Sequence, residues 1–547
     1  MHTFEVLLGL LAACVALALI ARRLHTPVAV VLMVGGMALA LVPGLPTITL
    51  DPQLALVLFL PPLLQASAYR TDWPAFRSNL RPILLLALGA VLFTAAAVAV
   101  TTKLLLPDLP WAAAIALGAI VAPPDAVAAT SVLKDFRIPK RLVIVLEGES
   151  LLNDASALVL YRFAVAATMA GGISFGEASL SFVLASVGGA AVGYGVGRAA
   201  MWIFTHLEDT LLDILVTFLA GFAAYIAAEQ LHVSGVLAAV SCGLVLGQQQ
   251  HAAFTARTRL ESGAVWSFVE FVLTALVFIL IGLQLRDILA RLEQHDPWHL
   301  AGLGLAISTA LIISRFVWLF PATWLPRVLS LSLRERDPMP PWSHVTVLSW
   351  AGMRGVVSLA AALALPAEFP GRDIILFLAF CAILATLVLQ GTTLGPLIRY
   401  LGVSEPEDEP ANPAVTPEAI TARSEATVAA MDAVAQKLDD PEQADAAEDL
   451  LRELRVRAKQ ADQMRRDAET GSQRDAARLG LRLTAIEAAR AKLLSEHKDE
   501  LDTEAMTTLI AELDLEDNKS GSQWDSTEQE PCRMIKEGSL VDQRGRW

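Results

Sequence analysis

Glu147, Glu149 and Asp154 fall within LEGESLLNDASALVLY, residues 146–161, between runs apolar enough for a bilayer interior. A carboxylate at membrane depth costs about 2.5–3.5 kcal/mol or more, so each needs a partner or a task. The chemistry open to such a group is ion and proton binding. Out of bulk water its oxygens hold either a proton or a cation, and the two compete. Glu149 and Asn153 are four residues apart and share a helix face, whereas Asp154 lies about 140° from Glu149. The two acids therefore have different partners. Pairing with an arginine accounts for Glu149 and leaves Asp154 to face a cavity. Glu147, about two turns nearer the helix end, reads as an interfacial or funnel acid.

Helices must carry these residues to depth. The 547 residues are 54% hydrophobic and 18% charged, but the charge is unevenly spread. From Gly402 onward there are 19 Lys+Arg and 33 Asp+Glu, against 23 of each before it. Residues 1–401 are thus a neutral, apolar domain, and their long apolar runs define an all-α polytopic membrane protein. Thirteen spans are expected, near 4–20, 28–43, 53–68, 83–101, 111–132, 142–169, 179–204, 211–230, 234–247, 263–284, 300–325, 345–365 and 374–398. Alternate connections hold 15 basic residues and the opposite set holds 4. That bias places the N-terminus outside the cell membrane and the tail in the cytoplasm. A cleaved signal peptide is disfavoured, since Arg22–Arg23 follow the first apolar run and no basic segment precedes it.

At about 1.5 Å per residue, Asp154 lies roughly 18 Å into span six and Asp125 roughly 21 Å into span five. Both are near the middle of a hydrocarbon core about 30 Å thick. Arg315 and Arg354 fall at a similar depth. Span five contains VAPPDAVAAT, in which Pro123 and Pro124 should interrupt the helix. Span twelve has a matching weak point, WAGMRGVVS. Paired interruptions in two halves point to a transport site between inverted repeats. Broken helices that cross there would present two positive and two negative dipole ends. Asp125 is placed to offset the former and Arg354 the latter. Elsewhere Arg162 reads as a buried hydrogen-bonding or snorkelling residue, Asp213 and Glu229 as interfacial acids, and Glu270 as structural.

These residues resemble the monovalent cation:proton antiporter family, in its sodium/proton antiporter and sodium/hydrogen exchanger branch. The segment GESLLNDA at 148–155 carries the likeness, supported by LPPLL at 60–64, PPDAVA at 123–128, VSGVLA at 233–238, ILIGLQL at 279–285, SRFVWLF at 314–320 and AGMRGVVSLA at 351–360. The resemblance implies two inverted six-helix repeats, split into a transport core and a dimerisation domain, in a homodimer. It implies that Asp154 is the shared proton and cation carboxylate and that Asn153 is the neutral half of an Asn-Asp pair typical of electroneutral members. Asp125, Ser150 and the backbone at Pro124 would line the cation site, and Glu149 with Arg315 would be a structural ion pair. The resemblance implies Na⁺ as the transported ion, with Li⁺ or K⁺ open, and implies no cofactor. Two departures bear on the cation. Pro124 stands where many relatives have threonine, and Gln65–Ala66 follow the LPPLL segment where many have an acid.

The remaining segments divide into an acidic, Pro-rich linker at 402–417, a helical tail at 418–516 and a disordered end at 517–547. The tail has opposite charges four apart, such as Glu448–Arg452. It is expected to pack on itself or to bind a regulator. Cys14, Cys242, Cys381 and Cys532 lack any disulfide or zinc spacing. Neither a phosphate loop nor a nucleic-acid signature is present, so the partners expected are membrane lipid and a second copy. A cation channel or membrane sensor on this scaffold is the rival to exchange.

Overall fold

The computed structural model describes residues 2–24, 26–42, 52–133, 136, 138–170, 175–207, 209–254, 256–292, 296–403, 417–436, 447–456 and 458–459. Most of the expected linker, the later tail helices and the 517–547 segment lie outside the described residues. The chain divides into two units, Met1–Glu405 and Pro406–Trp547.

In the first unit the described residues form helices joined by short turns, with no strand among them. They run α1 (His2–Leu24), α2 (Val28–Ala40), α3 (Pro52–Arg70), α4 (Trp73–Ser78), α5 (Leu80–Leu105), α6 (Trp111–Val121), α7 (Ala126–Leu133) and α8 (Lys140–Ala170). There follow α9 (Phe175–Phe204), α10 (Thr210–Gln230), α11 (Gly235–Ala253), α12 (Ala256–Leu283), α13 (Leu285–Arg291), α14 (Pro297–Leu329) and α15 (Leu331–Arg336). The last are α16 (Trp342–Trp350), α17 (Val356–Leu363) and α18 (Arg372–Leu401). Among the described residues, six helices or helix pairs are long and apolar enough to cross a membrane: α5, α6 with α7, α10, α12 with α13, α14 and α18. Helix α8 has 31 residues, ample for a crossing, but the acids of its middle turns dilute its apolar character.

Packing separates two groups. Helices α3, α9, α10 and α11 share a core of small side chains such as Ala224, Ala228, Ala238 and Cys242. Small residues let helix axes approach closely where lipid provides no hydrophobic drive. Helices α5, α6, α8, α14, α17 and α18 pack as a second group around Leu117, Ile120, Phe380 and Leu311. Gly118 of α6 lies so close to the Ala95 carbonyl of α5 that a Cβ there would overlap it. Arg162, read as a buried hydrogen-bonding or snorkelling residue, is half-exposed and hydrogen-bonds Glu229 at 2.6 Å, linking α8 to α10. Glu270 pairs with Arg70, linking α12 to α3.

The interruptions at 122–125 and 351–355 are non-helical, and they meet. The amide of Asp125 donates to the Met353 carbonyl at 2.7 Å. By contrast, Pro61 and Pro62 sit inside an unbroken α3.

In the second unit, α19 spans Pro417–Ala435, and residues 447–456 are also helical. Ala447, Leu451 and Leu454 form a buried stripe at helical spacing, and Arg452 pairs with Glu448 at 3.2 Å.

Candidate ion-binding site

Helix α8 is the spine of the site. The two Glu149 oxygens accept from Arg315 Nη1 and Nη2 of α14 at 2.6 and 2.7 Å, with both side chains at most 3% exposed. Arg315 Nε also donates to the Leu348 carbonyl of α16 at 3.2 Å. One bidentate pair therefore ties three helices together.

Arg354 is fully buried and is met by carbonyl oxygens. Its Nε donates to Val121 at 2.7 Å, Nη2 to Ala122 at 3.1 Å and Nη1 to Gly352, while its amide donates to Thr386 Oγ1 at 3.1 Å. Val121 and Ala122 end α6, where carbonyls lack helical partners and carry partial negative charge. Asp125 lies at the opposite kind of end. Its Oδ1 accepts from the Val127 amide at 2.9 Å, in the first turn of α7. Gly355 sits beside that carboxylate, and a Cβ there would overlap Asp125 Oδ2.

Asn153 Nδ2 donates to the Pro124 carbonyl at 2.9 Å. A carbonyl can only accept, so the amide must turn its nitrogen toward Pro124. This leaves Asn153 Oδ1 buried without a partner. Ser150 Oγ accepts from the Ala126 amide at 3.2 Å. Asp154 points the other way, into a pocket of about 60 Å³. One water needs about 10–15 Å³ on this scale, so the pocket takes a few waters or a partly hydrated ion. Asp154 is 7% exposed and makes no hydrogen bond or ion pair among the described residues.

The structure thus brings Asp125, Ser150, Asp154 and Pro124 to one pocket, with Asn153 braced behind it. Glu149, Arg315 and Arg354 stand outside the lining, and so does exposed Glu147. Gln65 is buried and turned away, its Nε2 donating to the Thr217 carbonyl of α10 at 2.5 Å. The opposite wall from α3 and α12 is mostly apolar, with Leu60, Leu63, Leu64 and Phe278 interrupted by the hydroxyls of Ser67 and Thr274.

Two lining residues were not anticipated from sequence. Thr274 of α12 and Ser358 of α17 have buried hydroxyl oxygens without a hydrogen-bond partner. Buried polar groups are nearly always satisfied, so two orphans in one pocket call for a guest. Their only sequence signal is a hydroxyl inside an apolar run, as at 271–283. A polar contact to a charged group contributes about 1.5–3 kcal/mol, so Thr274→Val or Ser358→Ala should weaken apparent cation affinity about tenfold or more. Cation titrations of exchange at fixed pH check this; unchanged half-saturation in both variants removes the hydroxyls from the coordination shell.

A broken-helix pair beside a buried carboxylate suits a membrane ion carrier, and similarity to known proteins specifies the family. Residues 9–400 match the family described as "Sodium/hydrogen exchanger, transmembrane". An uncharacterized Na(+)/H(+) exchanger of Mycobacterium tuberculosis is 33% identical over 80% of each chain. The sodium, potassium, lithium and rubidium/H(+) antiporter of Bacillus pumilus is 34% identical over 73% of this chain and 61% of its own. The structure of the sodium proton antiporter MjNhaP1 from Methanocaldococcus jannaschii superimposes with a TM-score of 0.55 at 19% identity, covering 73% of this chain and 99% of that one. The chain belongs to the sodium/hydrogen exchanger family. It is a multi-pass membrane antiporter rather than an enzyme.

Proposed function

We propose that this chain exchanges one monovalent cation for a proton by alternating access, with Asp154 as the carboxylate both ions use in turn. The observation that carries this reading is the Asp154 side chain, buried at the pocket with no hydrogen-bond donor holding it among the described residues. Asp125, Ser150 and the Pro124 segment form the rest of the site, so that Asp154 and Asp125 supply the anionic charge for the cation. Glu149–Arg315 is the structural pair, Arg354 offsets the carbonyl end of α6, and Glu147 guides ions from the cytoplasmic funnel. Na⁺ is the leading cation. K⁺ and Li⁺ stay within reach because Gln65 adds no acid to the pocket and a relative is named for all of these ions.

Exchange is electroneutral in this reading, because neutral Asn153 replaces a second carboxylate beside Asp154. The apolar unit spans the cell membrane thirteen times as two inverted repeats, its broken helices cross, and it works as a homodimer. The N-terminus lies outside and the tail inside. Residues 1–401 form the transporter, 402–417 the linker, 418–516 the helical tail and 517–547 a disordered end.

Proteoliposomes with an imposed pH gradient and a trapped pH dye test the reading. Adding Na⁺, Li⁺ or K⁺ should collapse the gradient, and the order of half-saturating concentrations gives the preferred cation. Clamping the membrane potential at zero should leave the rate unchanged. Silence toward all three ions sinks exchange, and a proton-independent cation leak points to a channel.

A further inference from the structure

A second cavity, of about 330 Å³, lies apart from the ion pocket. It is bounded by the start of α5, the start of α8, the end of α14 and the turn leading into α16. Its depth is apolar, with Leu86, Leu142, Val145, Leu319 and Val345 among its walls. Its rim is charged. Arg81, Arg141 and Arg327 surround a single carboxylate, Asp337. Arg141 Nη2 reaches Asp337 Oδ1 at 2.7 Å and Arg327 Nη2 reaches Oδ2 at 2.6 Å. Arg81, half-buried, makes no hydrogen bond or ion pair among the described residues. His344 is the other titratable lining residue, and with it neutral the rim has two positive charges in excess.

A cavity with an oily interior and a cationic rim fits one kind of guest, an amphiphile with an anionic head. All three arginines belong to the basic connections, the side that faces the anionic cytoplasmic leaflet in our reading. Large apolar side chains next to the cavity are exposed on the same elements: Leu84, Leu325, Val328, Met339 and Trp342. The mouth therefore borders hydrocarbon as well as headgroups, which favours a lipid over a soluble anion. Basic pockets between membrane helices bind acidic lipid heads by this chemistry. We propose that the cavity is a binding site for an anionic phospholipid, its phosphate held by Arg81 and its acyl chain lying between α5, α8 and α16.

The site adjoins the transport machinery. Leu348 lines the cavity and offers its carbonyl to Arg315, and Val145 lines it one turn before Glu149. Lipid occupancy is thus placed to act on the helices that hold the ion site.

The test uses the full chain, purified and reconstituted in nanodiscs of phosphatidylcholine doped with phosphatidylglycerol, with bound lipid read by native mass spectrometry. Wild type should retain phosphatidylglycerol at least tenfold over phosphatidylcholine. Arg81→Gln should lose that preference by removing the free cation, and Ala322→Trp should lose it by filling the cavity. Both variants should melt as wild type does. Equal retention of the two lipids, preference unchanged in both variants, or displacement by soluble glycerol phosphate as efficient as by lipid would each overturn the site. None of these readouts depends on Asp154 being the carrier.

Discussion

Asp154→Asn should reduce cation-driven proton movement in vesicles by at least 100-fold while the protein melts within a few degrees of wild type. The asparagine is nearly isosteric, so the pocket keeps its shape. In the proposed mechanism it loses the group on which a proton and a cation alternate, charged in one state and neutral in the other. Stability should hold because the Asp154 side chain makes no hydrogen bond among the described residues, so no buried partner is orphaned. The same substitution at Asp125 should be less clean. Asp125 Oδ1 accepts from the Val127 amide and its own amide is bonded to Met353, so a change there disturbs the break as well as the charge. Exchange that persists at a tenth of the wild-type rate or more in Asp154→Asn assigns the carrier role to another group.

Removing one partner of the Glu149–Arg315 pair should lower the melting temperature by several degrees and abolish transport with it. The pair is bidentate and almost fully buried. Truncating either side strands a charge away from water, a loss of about 3–5 kcal/mol. Glu149→Arg and Arg315→Glu should each fail, and the double exchange should recover part of the stability, since the charges would again be matched. A double variant no more stable than either single one breaks the argument. The contrast between the two tests separates roles: at Asp154 activity falls and stability stays, while at Glu149 both fall.

Much of this was legible in the sequence, for identifiable reasons. Apolar runs announce membrane helices because a bilayer forces every backbone group to be satisfied within its own segment. Glu149 and Asp154 could be assigned different partners from helical geometry alone, because five residues turn a side chain well away from its starting face. Proline pairs were less informative. Pro123–Pro124 coincides with a break and Pro61–Pro62 does not. The difference lies in what the surroundings offer. At 122–125 the released backbone groups find Arg354, Asn153 and the Met353 carbonyl.

Thr274 and Ser358 were invisible for a related reason. Hydroxyls in helices usually bond back to the preceding turn, as Ser349 does to Val345 and Thr386 to Ala382. Only coordinates reveal which ones do not. Arg354 was read from sequence as a charge offsetting negative helix ends, and its guanidinium meets the carbonyls of Val121 and Ala122 at the end of α6. Three backbone oxygens in all accept from its side chain, the third being that of Gly352.

Those backbone oxygens have a mechanical consequence. Arg354 and the Asp125–Met353 bond stitch the two interruptions into one block, so neither half-helix can slide past the other without breaking several bonds at once. Any displacement that opens the pocket first to one face and then to the other must therefore carry both broken helices together. The apolar side chains of Leu60, Leu63, Leu64 and Phe278 across the pocket form no directional bonds and are suited to be the bearing on which that block travels.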